Sequence, residues 1–145
     1  MARISFDIED LSFEELAAIP QEIQYQMLEA GAEVARAAHK RVLQVMGLVQ
    51  SGQLRDSLKI QRKIAKDGSV YVLVLPTGTR KPTVYHPSPK TKNSAVAFFN
   101  EFGAPNRGIA AKEWMRTANE QSADAVLAAE EAVYDEYLKN QGFIH

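Results

Sequence analysis

Residues 95–118 read AVAFFNEFGAPNRGIAAKEWMRTA. They join the most aromatic run of the chain, Ala97-Phe98-Phe99-Asn100-Glu101-Phe102-Gly103, to a connector lying between Gly103 and Gly108. Trp114, the only tryptophan, then opens the last helical pattern. Apolar surface this dense predicts burial, with the elements on either side closing over it. Ser94 offers the cap of a short helix ending at Phe102, with Gly103 just beyond in the left-handed region. Phe98 and Phe102 then share a face. A strand is the other reading, and it sets Phe98 and Asn100 against Phe99 and Glu101. Glu101, among aromatics, is expected to be partly buried, and a buried carboxylate needs a partner. Arg55 or Arg116 is expected to supply a bidentate guanidinium, as an internal pair that locks the fold.

Downstream of this stretch, Met115, Ala118, Ser122, Ala125, Ala129, Val133 and Tyr137 mark the inner face of a helix starting near Ala111. Its outer face is acidic, with Asp124, Glu130, Glu131, Asp135 and Glu136, and residues 140–142 end it. Upstream, residues 76–94 carry Pro76, Pro82, Pro87 and Pro89 beside Arg80, Lys81, Lys90 and Lys92, with no acid. So much proline opposes a regular element, and a loop this long in a compact domain is functional or disordered. It reads as a projecting, mobile basic arm, with Val84 and Tyr85 able to form a brief edge strand.

Two strands are expected before that loop. Leu58, Ile60 and Ile64 alternate with polar residues, as in a half-buried strand, while residues 70–75 are apolar throughout and predict a strand buried on both faces. Asp67-Gly68 supplies the hairpin turn, and Pro76 stops the second strand. Earlier still, Ile23, Met27, Ala30, Val34, Ala38, Val42 and Val45 recur at helical steps behind Pro20, which suits a first turn. Glu29 and Glu33 precede Arg36 and Lys40 at the favourable spacing, and Gly47 ends the helix. Gly31 and the alanines thin one side of this helix, which predicts close packing on the protein's own sheet. At the N-terminus Ile4, Phe6 and Ile8 alternate as in a short strand or arm. Ser12 and Glu15 form a capping box, with Leu11 and Leu16 as its staple, for a short helix over 13–18.

The chain has 145 residues, which bounds it to one domain, 1–145. Its net charge of −1 gives no global pull toward nucleic acid or anionic membrane. The absence of cysteine removes disulfides and thiol chemistry, and fits a reducing compartment. No apolar run approaches the roughly 20 residues of a membrane span, and no signal core opens the chain, so a cytoplasmic origin is expected. His39, His86 and His145 are far apart and show no metal-ligand spacing. Residues 47–52 lack the Lys-Ser/Thr of a phosphate loop, and Ser51 and Ser57 have no evident His/Asp partners. The expectation is therefore no catalytic residue, no metal and no cofactor.

Three pieces in order carry a resemblance. They are Ser51-Gly52-Gln53-Leu54-Arg55-Asp56-Ser57, Phe98-Phe99-Asn100-Glu101-Phe102-Gly103, and Ala111 onward through Trp114, Arg116 and Ala118. Together they resemble the signatures of a tailed-phage family of small head–tail connection or tail-completion proteins. Glu113 stands where that family often has Pro, and Ser51 where Thr is usual. The resemblance covers roughly residues 20–138. It implies a structural protein of the phage or prophage neck, assembled first in the host cytoplasm and then part of the virion. Its partners would be itself, as a ring, and neighbouring head and tail proteins. The residues it marks are Gly52, Leu54, Arg55, Ser57, Phe98, Glu101, Phe102, Gly103, Trp114 and Arg116.

The expected architecture is α+β: a small antiparallel sheet carrying the long helix and the C-terminal helix, with the basic loop projecting. Arg80, Lys81, Tyr85, Lys90 and Lys92 of that loop are candidates for docking on an acidic surface, the outer face of the last helix included. The alternative is a nucleic-acid-binding or regulatory module that uses loop 80–92 on DNA without sequence preference. Solvated disorder is the third reading of the same loop.

Overall fold

The structure is a computed structural model that describes residues 2–3, 19–48, 52–79, 92–108 and 110–141. Along the chain these form β1 (Ala2–Arg3), α1 (Gln21–Val45), α2 (Gln53–Asp56), β2 (Leu58–Ile64), β3 (Val70–Pro76), α3 (Asn93–Phe102), a 3-10 turn (Pro105–Arg107) and α4 (Trp114–Asn140). The fold is α+β, as expected. The capping box at 12–15, the alternation at 4–8 and the loop residues Arg80, Lys81, Tyr85 and Lys90 lie outside the described residues.

β3 is the central strand of an antiparallel sheet ordered β1-β3-β2. Leu58 pairs with Pro76 and Ile64 with Val70, while Ala2 pairs with Val74. The hairpin turns on Gly68, whose φ of 87° favours a residue without a Cβ. Its amide bonds the Ala65 carbonyl. Of β3, only Val72 and Val74 are buried, and Tyr71, Leu73 and Leu75 are half-buried. The expectation of burial on both faces is thus corrected. α1 packs on one face of the sheet and α4 packs on α1, while the β3 residues that alternate with Val72 and Val74 keep partial access to solvent.

α1 lies on the buried face of the sheet. Its inner residues are Tyr25, Met27, Leu28, Ala32, Ala35, Ala38, His39, Val42 and Leu43, a stripe rotated from the one the apolar spacing marked. Val45, expected inside, is 82% exposed. Arg62 of β2 fixes the first turns of α1: it pairs with Glu22 at 2.8 Å and Glu29 at 2.6 Å and lies over the Tyr25 ring. Glu29 is thereby drawn off its own helix, while Glu33 and Arg36 keep the expected pair at 2.6 Å. Gly47, with φ 69°, closes α1. The Gly47 amide bonds the Gln44 carbonyl and the Leu48 amide bonds that of Leu43, so two otherwise unpaired carbonyls are satisfied in a Schellman turn.

α4 starts at Trp114, three residues later than expected, because residues 111–113 are used otherwise. The Lys112 and Glu113 amides bond the carbonyls of Asn100 and Glu101, capping the end of α3. The buried face of α4 runs Trp114, Met115, Ala118, Ser122, Val126 and Glu130. Two expectations fail here. Ala125 is exposed, and Glu130, assigned to the outer acidic face, is buried. The thin side of α1 at Gly31 meets α4 rather than the sheet: a Cβ there would stand 2.6 Å from Glu130 Oε1.

One core cluster, at one end, gathers Ala38, Val42 and Leu43 of α1 with Leu54, Leu58, Ala97, Trp114, Met115 and Ala118. A second joins Tyr25, Leu28, Ala32 and Ala35 to Val72, Val74 and Val126. Among the described residues no helix is long and apolar enough to cross a membrane.

Candidate functional site

Two of the three motifs singled out in the sequence meet in the first core cluster, where Leu54 and Trp114 are buried beside Ala97, the residue before the Phe98–Gly103 motif. That motif joins them through Glu101, which accepts the Met115 amide. Gly52 adopts φ 75° at the start of α2, and its carbonyl accepts the Asp56 amide at 2.9 Å. Ser57 closes the element. Its hydroxyl donates to the Leu54 carbonyl at 2.7 Å, and its own carbonyl accepts both the amide and the hydroxyl of Thr77. This motif anchors the strand end from which the basic loop departs.

α3 is turned opposite to its apolar content. Its buried residues are Asn93, Ala97 and Glu101, one every four positions. Phe98, Phe99 and Phe102 are 57%, 39% and 61% exposed. Burial of the aromatic run is therefore corrected, although the helix and the shared face of Phe98 and Phe102 are as expected; their rings lie 4.8 Å apart. The reason is that two of the inward positions, Asn93 and Glu101, make side-chain bonds no phenylalanine can make, and the third is small enough to admit an indole. Asn93 Nδ2 donates to the Thr77 carbonyl at 2.9 Å. The Ala97 carbonyl accepts Trp114 Nε1–H at 3.1 Å, and its small side chain lets the indole approach. Glu101 accepts the backbone amides of Met115 at 2.6 Å and Arg116 at 3.2 Å.

Glu101 is thus the N-terminal cap of α4, supplied from another helix. The first amides of any helix lack intrahelical partners, and the N-terminal end of its dipole favours a negative charge. Neither expected guanidinium serves it. Arg55 pairs with Asp56 at 2.9 Å, and Arg116 lies on the surface between Glu113 and Glu120. A guanidinium is not needed where two backbone donors already converge. The residue normally placed to cap α4, Glu113, makes no side-chain cap and has φ 49°, a left-handed conformation uncommon for a residue with a Cβ. Proline, locked near −65°, would not adopt it, so the departure at this position has a backbone meaning.

Gly103 has the expected positive φ, 72°, but with ψ −176° it is extended rather than left-handed helical. Ser94 does not cap α3, which begins one residue earlier at Asn93 and shows no side-chain cap. Asn93 instead closes the base of the basic loop. Its amide bonds the Gly78 carbonyl, and Thr79 bridges to Lys92. Lys92, the one loop cation among the described residues, is exposed.

The surface left by this arrangement is the Phe98–Phe99–Phe102 patch and a cleft of about 270 Å³ beside it, lined by Glu101, Phe102, Met115, Arg116, Asn119 and Glu120. Two buried groups escaped sequence reasoning. His39 stacks edge-on to Trp114 and donates Nδ1–H to the Ala35 carbonyl at 2.6 Å, since a carbonyl can only accept. Burial holds its pKa below the ordinary value, against the opposing effects of that bond and Glu101. Glu130 is the other. Nothing in the spacing of α1 or α4 distinguishes either group from a surface residue. No protein-family model, no curated protein and no solved structure matches this chain.

Proposed function

We propose that this chain is a structural protein of the head–tail junction of a tailed phage or prophage, a neck or tail-completion component that works by protein–protein assembly. The observation that carries the assembly reading is the inverted α3: polar and small residues inside, three phenylalanines outside. Exposed aromatic clusters of this kind mark surfaces that bind other proteins. The patch lies on a rigid base. Glu101, Ala97 and Asn93 tie α3 to α4 and to the stem of the basic loop, so the phenylalanines are presented with little entropy left to lose on docking. The resemblance of the three sequence motifs assigns that surface to the neck.

In this reading the neighbouring copy and the adjoining head and tail proteins cover the patch, and the acidic outer face of α4 (Asp124, Glu131, Asp135, Glu136) receives the basic loop 80–92 of a neighbour. The protein assembles in the host cytoplasm and ends in the virion, with shape and contact in place of chemistry. The test is electron microscopy of an induced lysate carrying Phe98→Ser and Phe102→Ser, beside one from which the gene is deleted. The expected result in both is filled heads separate from unattached or misfinished tails. Normal infective particles in the deletion would overturn the reading. Salt-sensitive retention of the isolated protein on DNA would then favour the basic loop as a nucleic-acid contact.

A further inference from the structure

Glu130 lies in the middle of the α1–α4 interface and is 1% exposed. Facing it is Gly31. A Cβ there would stand 2.6 Å from Oε1 and 2.9 Å from Cγ of Glu130, so α1 has a notch that the carboxyl fills. Oε1 has no hydrogen-bond partner among the described residues, and no ion pair reaches Glu130 among them. Among the described residues the elements packed around α4 offer Glu130 no compensating charge. α1 turns Tyr25 and His39 inward, but the Tyr25 hydroxyl is spent on the Lys63 carbonyl and the His39 ring is held at Ala35 and Trp114. β3 turns Val72 and Val74 to the helices, and the buried acid of α3, Glu101, is engaged at the far end of α4. Tyr134, one turn on along α4, is half-buried.

We infer that Glu130 in the Gly31 notch is a pH-sensitive latch holding the C-terminal half of α4 against α1. The N-terminal half is fixed by the Glu101 cap, Trp114 and the first core cluster. Beyond Glu130 no residue of α4 is fully buried. A charge forced into the notch therefore acts on the half of the helix whose residues are less buried.

Burial pushes the Glu130 pKa up to about 8 from its ordinary 4.5. The folded state then holds a proton that the open state releases, so stability falls as pH rises from about 4.5 to about 8, roughly tenfold in the opening constant per pH unit. His39, with its pKa lowered by burial, slopes the other way, and only below about 6.5. Between about 6.5 and 8 the Glu130 effect is therefore free of the opposing slope of His39.

The test is hydrogen exchange on the full chain at pH 6.5 and 8.5, corrected for the intrinsic pH dependence of exchange. In the wild type, protection of residues 127–138 is expected to fall about 30-fold while residues 114–118 change far less. In Glu130→Gln, a neutral residue of nearly the same shape, the fall is expected to vanish. Glu130→Met provides the same comparison should the glutamine variant fold poorly. Equal falls in wild type and variants, or no fall in the wild type, would overturn the inference.

Discussion

Among the described residues two carboxylates are buried along α4, one against its start and one within it, and they are treated in opposite ways. Glu101 reaches across from α3 and accepts two backbone amides at the start of α4. Glu130, four turns along α4, enters a glycine notch with Oε1 unmatched among the described residues. The first supplies acceptors where donors must otherwise go unpaired. The second brings a polar group where none is wanted, and relies on staying protonated. One is a joint of the fold; the other is a place where the fold can be opened.

Removing the Glu101 carboxylate should have the largest effect. Glu101→Ala leaves two buried amides without acceptors and is expected to cost about 3 kcal/mol, measured by urea unfolding followed through Trp114 fluorescence. Glu101→Gln, which keeps one acceptor oxygen, should cost about half as much. Losses below about 1 kcal/mol for both would mean that water replaces the cap and that the two acids are less different than their surroundings suggest.

Next comes the notch. Gly31→Ala drives a methyl into Glu130 and is expected to destabilise by about 2 kcal/mol. Glu130→Ala in the same chain should recover most of it, with a coupling on the order of 1–2 kcal/mol in the double-mutant cycle. Additive effects would separate Gly31 from Glu130. A smaller and opposite pH effect belongs to His39. Its neutral ring is favoured in the fold, so stability should decline as pH falls below about 6.5, and His39→Gln should remove that decline. The smallest effect is expected from Arg116→Ala, which should leave the unfolding midpoint unchanged because Arg116 pairs only with exposed Glu113 and Glu120. A clear loss would restore Arg116 as a partner of Glu101.

Much of the framework was legible beforehand. Periodicity marked the two long helices and the hairpin, because 3.6-residue and two-residue repeats follow from backbone geometry whatever the partner. Gly47, Gly68 and Gly103 announced positive φ, since few other residues accept it. The burial of Glu101 also followed from local pattern, which left residues 95–102 open between helix and strand. What failed did so at particular residues. Hydrophobicity placed Phe98, Phe99 and Phe102 inside, yet three hydrogen bonds and a close approach of the Trp114 ring decide which side of α3 faces in. Charge placed Glu130 outside, yet a missing side chain at Gly31, 99 positions earlier, makes room for it.

Sequence alone therefore determined the two long helices, the hairpin, its turn, the α+β class and the existence of one acid that needed a partner. These depend on neighbours within a few residues. The tertiary structure decided the orientation of α3, the identity of Glu101's partners and the burial of His39 and Glu130. Those depend on hydrogen bonds and volumes shared by residues far apart in the chain, and local propensity carries no information about them.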